Sequence, residues 1–142
     1  MLIYFSIGTN LGDREANLQD ALRLLNERVG EHVVSSSVYQ SEPQGFESEN
    51  EFANIVALYR TNYSPEDVLL ITQQIEREMG RTQKSVNGIY HDRVIDIDLL
   101  QAIHHSKFII QNTHTLTLPH PRMHERDFVM IPLREVEEII SK

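Results

Sequence analysis

The chain has 142 residues, no cysteine and no tryptophan, 40% apolar and 24% charged residues, and a formal net charge of −8. Such a length is expected to form one domain, residues 1–142, around one core, and the absence of cysteine excludes disulfides, Cys-based zinc sites and a cysteine nucleophile. No apolar run approaches the roughly 20 residues that span a bilayer, and MLIYFSIGTN lacks a basic n-region, so the expectation is a soluble, cytoplasmic protein without a membrane partner.

Leu2 to Ile7 is a short apolar run ending at Gly8, the pattern of a buried strand. A helix follows. Asp13 is placed to cap it, Leu18, Ala21, Leu22, Leu25 and Val29 recur at helical spacing, and Gly30 is expected to end it. His32 to Gln40 reads as a second strand and Phe52 to Arg60 as a third. Ser64, Pro65, Glu66 and Asp67 supply the cap, first position and acidic first turn of a second helix. Its buried stripe is Val68, Ile71, Ile75 and Met79, and Gly80 is its C-cap.

Arg81 to Arg93 has no apolar periodicity and is expected to be a loop. Val94 to Ile103 is a strand, and Lys107 to Ile110 returns beside it after the polar His104-His105-Ser106 turn. Leu116 to Pro121 is extended, because prolines flank His120, and a last short helix runs through Phe128 to Ile140. This is the βαββαβ order of an α+β, ferredoxin-like sandwich: helices against an antiparallel sheet, with extra C-terminal elements.

The total charge hides an asymmetry. Residues 1–80 carry 5 basic and 13 acidic side chains, whereas residues 81–126 carry 6 basic and 4 acidic. Six of the seven histidines lie between His91 and His124. An acidic chain offers no broad basic face for nucleic acid, so no nucleic-acid partner is expected. A local basic window suits a small polyanion.

The sharpest motif is Arg93-Val94-Ile95-Asp96-Ile97-Asp98-Leu99-Leu100. Side chains alternate across a strand, which puts Asp96 and Asp98 on one face and Ile95, Ile97 and Leu99 on the other. Two neighbouring carboxylates repel each other unless a cation lies between them, and oxygen-only donors favour a hard ion, magnesium first. Aspartate is also depleted inside strands. Arg81, Lys84 and Arg93 precede the pair, and His120, Arg122, His124 and Arg126 follow it. Guanidinium and imidazole donors around a diacidic metal site are what a polyphosphate needs.

The i, i+4 spacing of His120 and His124 argues only weakly for zinc, since Pro119 and Pro121 oppose a helix there. Arg122 and His124, taken singly, read as solvated surface. The Gly8–Gly12 segment matches neither phosphate-loop nor dinucleotide patterns, so its glycines are read as serving a tight turn. Phe52 and Asn54 share a strand face, an aromatic beside an amide that suits a flat heterocycle. Two readings stay open on these residues alone: a metal-dependent phosphoryl or nucleotidyl transferase, and a ligand-sensing ferredoxin-like domain.

Four ordered blocks resemble the hydroxymethyldihydropterin pyrophosphokinase family across nearly the whole chain. They are Ser6–Gly12, Tyr39–Gly45 with Phe52-Ala53-Asn54, Glu76–Arg81 leading to Arg93–Leu99, and Leu118–His120 leading to Arg126–Phe128. The resemblance implies transfer of diphosphate from ATP to the hydroxymethyl group of 6-hydroxymethyl-7,8-dihydropterin, releasing AMP, in a monomer. It implies two Mg2+ ions on Asp96 and Asp98, with Arg81, Lys84, Arg93, His120 and Arg126 around the triphosphate and Arg93 acting on the transition state. Phe52 and Phe128 would sandwich the pterin, read by Asn54 and by backbone near Gly8, Ser41, Pro43 and Gln44. Leu99 and Thr117 would border the adenosine, and the 81–93 segment would be a closing lid. Gln83 stands where many members have a second arginine, Tyr90 is the nearest aromatic to a common lid tryptophan, and Ser41 and Glu42 replace commoner Thr and Pro.

Overall fold

A computed structural model describes residues 1–42, 51–80 and 94–142 in full, together with the backbone of 85–86 and 89–90. In chain order the elements are β1 (Leu2–Thr9), α1 (Arg14–Arg28), β2 (Gly30–Ser35), β3 (Tyr39–Ser41), β4 (Phe52–Thr61), α2 (Pro65–Glu78), β5 (Ser85–Val86) and β6 (Ile89–Tyr90). There follow β7 (Asp96–His104), β8 (Lys107–Phe108), β9 (Gln111–Asn112), β10 (Thr117–Leu118), a 3-10 turn (Met123–Glu125) and α3 (Asp127–Ile140).

The main sheet has the order β2-β4-β1-β7-β8, with β3 also paired to β4, and every pairing is antiparallel. With β2, β4 and β7 as second, third and fourth strands, this is the ferredoxin-like order, and β1 is its centre. One face packs Ile3, Phe5, Ile7, Ile55, Ile97 and Leu99 against Leu18 and Leu25 of α1 and Val68 and Ile75 of α2. The other packs Tyr4, Val56, Leu58 and Leu100 against Val129, Leu133 and Val136 of α3. The extra C-terminal helix therefore covers the face that a bare βαββαβ unit leaves open.

Both predicted N-caps form, because short polar side chains satisfy amides that the first turn leaves unpaired. Asp13 accepts from Ala16 N–H at 3.0 Å, and Ser64 Oγ accepts from Asp67 N–H at 3.2 Å. Gly80 follows α2 with φ of +100°. Gly30 departs from expectation. Val29 caps α1, and Gly30 opens β2, where a Cβ would lie 2.0 Å from the Arg60 carbonyl oxygen; strand proximity, and not helix termination, requires glycine there.

The predicted second strand is two strands, β2 and β3. Ser36 bridges the gap: its N–H donates to Val56 O at 2.8 Å and its Oγ accepts from Val56 N–H at 3.0 Å. The 81–93 segment, expected to be a loop throughout, holds a short hairpin in which Ser85 pairs with Tyr90 and Val86 with Ile89. The return after His104 is shorter than expected, with β8 paired only at Ile103 and His104.

At the far end of the helical layer, Arg28 of α1 donates to both oxygens of Glu78 on α2, at 2.6 and 2.8 Å. The Arg28 hydrogen bond, aided by one from Gln74, holds the Glu78 carboxyl down at about 2 against an ordinary 4.5. A lowered folded pKa means stability that is present above about 4.5 and lost as pH falls towards about 2. Glu78→Gln should therefore be less stable than the parent at neutral pH, with the difference closing across that acidic window and shrinking at high salt. Urea melts at several pH values test this, and a deficit that stays constant with pH would contradict it.

Candidate active site

The site is assembled by register. Gly8 on β1 lies opposite Asn54 of β4 on one side and opposite Asp96 of β7 on the other. Ser6 lies likewise between Val56 and Asp98. Directly opposed residues of an antiparallel sheet project to the same face, so Asn54, Asp96 and Asp98 share the face of Val56 and α3. Phe52, two residues before Asn54, projects there as well. Asp96 and Asp98 are half-buried while Ile95, Ile97 and Leu99 are buried against α1 and α2, as the alternation predicts.

Gly8 is the empty place in this row. A Cβ at Gly8 would lie 2.9 Å from Asn54 Oδ1 and 3.6 Å from Phe52 Cδ1. Asn54 cannot easily retreat: its Nδ2 donates to Tyr39 O at 3.0 Å, Ser41 Oγ at 2.9 Å and Phe52 O at 3.4 Å. These bonds leave Oδ1 directed over Gly8. The expectation that Gly8 serves a turn is thus corrected; it lies within β1, and its missing side chain leaves a shallow space between amide and diacid.

The strands' other neighbours come from the C-terminal segment. His120 N–H donates to Leu100 O at 2.7 Å, which docks the segment on the outer edge of β7. Burial, then the Arg126 and Arg122 cations, push the His120 ring below its ordinary value against the opposing pull of Asp96. His120 Nδ1 accepts from Arg122 N–H at 3.2 Å, so the neutral ring carries its proton on Nε2 as a donor. The Arg126 guanidinium carbon lies 5.6 Å from the Phe128 ring centre, and both residues are half-buried. Arg122 and His124 are exposed.

Leu99 packs in the α1/α2 core beside Leu116 and Leu118, which flank Thr117. Its side chain therefore faces away from the two aspartates. The 111–118 hairpin carrying Thr117 is tied to α2 through Glu66, whose Oε1 accepts from Gln111 Nε2 at 2.6 Å and whose Oε2 accepts from Thr115 Oγ1 at 3.0 Å. Pro43, Gln44, Arg81, Lys84 and Arg93 lie outside the described residues. Among the described residues, no group of three or more His, Asp or Glu side chains forms a metal cluster. The donor set that would fit a hard cation is the Asp96/Asp98 pair of oxygen ligands.

Sequence reasoning passed over Glu76. It is 5% exposed on α2, and its Oε2 accepts from Ile97 N–H, between the two aspartates, at 2.8 Å. Its position was a signal: Val68, Thr72 and Glu76 recur every four residues along the buried side of the helix. Arg14, also passed over, holds the start of β4 by donating to Glu51 O at 2.8 Å.

The architecture places the chain among the ferredoxin-like α+β sandwiches, and comparison with known proteins narrows this. The family model for 7,8-dihydro-6-hydroxymethylpterin-pyrophosphokinase (HPPK) matches residues 4–138. A 2-amino-4-hydroxy-6-hydroxymethyldihydropteridine pyrophosphokinase of Porphyromonas gingivalis is 50% identical over 135 residues, 95% of this chain and 90% of the relative. One of the same name from Bacillus subtilis is 38% identical over 144 residues, covering 99% and 81%. The chain belongs to the HPPK family and is an enzyme of that family, a pyrophosphokinase of folate biosynthesis.

Among solved structures, an HPPK-DHPS crystallised with substrates superposes with a TM-score of 0.68 at 17% identity, covering 95% of this chain. The Plasmodium falciparum HPPK-DHPS with pteroate gives 0.66 at 14% identity, covering 94%. These likenesses establish the fold, and the chain spans about 40% of those longer proteins.

Gly8→Ala tests the row. The added methyl must displace either the Asn54 amide or the Phe52 ring, so KM for the pterin should rise about tenfold, or about 1.4 kcal/mol, with thermal stability little changed. An unchanged KM would show that the space over Gly8 is not where the pterin lies.

Proposed function

We propose that this site transfers diphosphate from ATP to the hydroxymethyl oxygen of 6-hydroxymethyl-7,8-dihydropterin, releasing AMP. The observation that carries this reading is the single row Asn54–Gly8–Asp96: it sets an amide over a side-chain-free strand position next to a pair of strand carboxylates. One end suits a flat heterocycle with donors on its edge, and the other a cation-bound triphosphate. Family membership supports the same division.

Asp96 and Asp98 would hold two Mg2+ ions, which when bound supply charge neutralisation along the triphosphate. Asn54 Oδ1 accepts from the pterin edge, Phe52 and Phe128 pack on the ring faces, and Ser41 with backbone near Gly8, Pro43 and Gln44 completes that half. His120, through Nε2–H, and Arg126 donate to phosphate oxygens. Arg81, Lys84 and Arg93 are assigned to the triphosphate by their family positions, Arg93 to the charge that develops during transfer. Thr117 and the backbone of Leu99, whose side chain is committed to the core, border the adenosine.

The pterin hydroxyl oxygen attacks the β-phosphorus, the bond from that phosphorus to the α-phosphate oxygen breaks, and the hydroxyl proton is lost. The chain contributes position and electrostatics rather than a covalent intermediate. We further assign it to the cytoplasm as a single-domain monomer acting on small molecules; among the described residues, no helix is long and apolar enough to cross a membrane.

Incubation with ATP, Mg2+ and hydroxymethyldihydropterin should yield AMP and pterin diphosphate in equal amounts. Asp98→Asn should lower turnover by at least about 100-fold while leaving the circular dichroism spectrum unchanged. ADP or a nucleotidyl adduct as the product, or near-normal turnover of Asp98→Asn at saturating Mg2+, would overturn the assignment.

A further inference from the structure

Among the described residues, the strand that carries the two aspartates is paired there on one side only, with β1. β8 pairs with β7 only at Ile103 and His104, so among the described residues the outer edge beside Asp96–Leu100 has no neighbouring ladder. Buried backbone donors without partners are costly. Two side elements fill the gap: the His120 N–H reaches Leu100 O at 2.7 Å, and the Glu76 carboxyl reaches Ile97 N–H at 2.8 Å.

The second contact sits at the peptide between Asp96 and Asp98, and both ends are buried, Glu76 at 5% and Ile97 at 4% exposure. Glu76 lies in the last turn of a helix tied to its neighbours at both ends, through Glu66 to Gln111 and Thr115 and through the paired Arg28–Glu78 bonds. The Glu76 carboxyl is a hydrogen-bonded tie between that helix and the strand.

We infer that Glu76 is a positioning residue: by accepting the Ile97 N–H it holds the backbone between Asp96 and Asp98, and so sets the relative geometry of the two carboxylates for their divalent ions. The inference rests on the function proposed above. It separates from a plain packing role because it needs an acceptor oxygen at a given reach rather than a negative charge or a volume.

Two variants divide these requirements. Glu76→Gln keeps reach and an acceptor oxygen but loses the carboxylate; Glu76→Asp keeps the carboxylate but falls about 1.5 Å short. Three readouts are taken on each: amide hydrogen exchange at Ile97, binding of Mn2+ with a non-hydrolysable ATP analogue, and binding of the dihydropterin alone.

Glu76→Asp should speed exchange at Ile97 and weaken Mn2+–nucleotide binding by about tenfold, as outer-shell changes at metal sites do, with dihydropterin affinity within about twofold of the parent. Glu76→Gln should resemble the parent in all three. The inference is overturned if Glu76→Asp exposes Ile97 without weakening Mn2+–nucleotide binding, if it weakens dihydropterin binding equally, or if Glu76→Gln is as impaired as Glu76→Asp. Asp98→Asn is the control: if the parent shows no Mn2+–nucleotide site that this variant removes, the proposed function itself fails, whatever the Glu76 variants do.

Discussion

Everything at the candidate site depends on one pairing constraint, the register of β1 between β4 and β7. Side chains on a strand alternate with a period of two, so slipping β1 by one residue against either neighbour would send whole rows to the opposite face. The register is held by burial. Ile3, Phe5 and Ile7 must face α1 and α2 while Tyr4 faces α3, and no slipped pairing satisfies both layers. Fixing those apolar side chains also fixes Gly8 between Asn54 and Asp96. The core and the site are therefore two consequences of one alignment, and a ligand site can be accurate on a fold of this size without a dedicated scaffold.

The second organising feature is the unfinished edge of β7. A sheet edge normally invites another strand. Here the edge beside the aspartates is closed instead by a helix carboxyl and by a backbone amide from the segment that carries His120. Closure by unlike elements lets three parts of the chain converge on one short stretch: α2, β7 and the loop before α3. It also couples the site to the helical layer, since α2 is tied to α1 by Arg28 and Glu78, two residues beyond Glu76. His120 shows the electrostatic side of this convergence. Burial and neighbouring cations lower its pKa, which favours a neutral ring that donates a hydrogen bond without adding a further positive charge beside Arg126.

Local signals in the sequence carried much of this. Asp13, Ser64 and Pro65 announce helix starts because capping is decided within four residues, and the Ile95-Asp96-Ile97-Asp98 alternation shows its two faces unaided. What escaped depends on distant partners. Gly30 looks like a helix stop, but its reason is Arg60, thirty residues later and on another strand. Gly8 looks like a turn glycine, but its reason is Asn54. Glu76 carries no local signal of its role, because its partner is the Ile97 amide on another element, twenty-one residues later. The polar composition of 81–93 hid a short hairpin, because two-residue strands are too brief to show a period. Asn54 and His120 were legible by chemistry, as an amide beside an aromatic and an imidazole beside a diacid, although their partners Tyr39 and Leu100 were not.

The central claim is that the β1 register creates one face on which the two aspartates, Gly8 and Asn54 work together. Paramagnetic broadening of backbone amide resonances tests it most directly, with Mn2+ added in the presence of a non-hydrolysable ATP analogue. The account predicts strongest broadening at Ser6, Gly8 and Asp96–Asp98, weaker effects at Asn54 and His120, and none at Gly30 and Thr61 at the opposite end of the sheet. Broadening centred elsewhere, or confined to β7 with β1 unaffected, would contradict it.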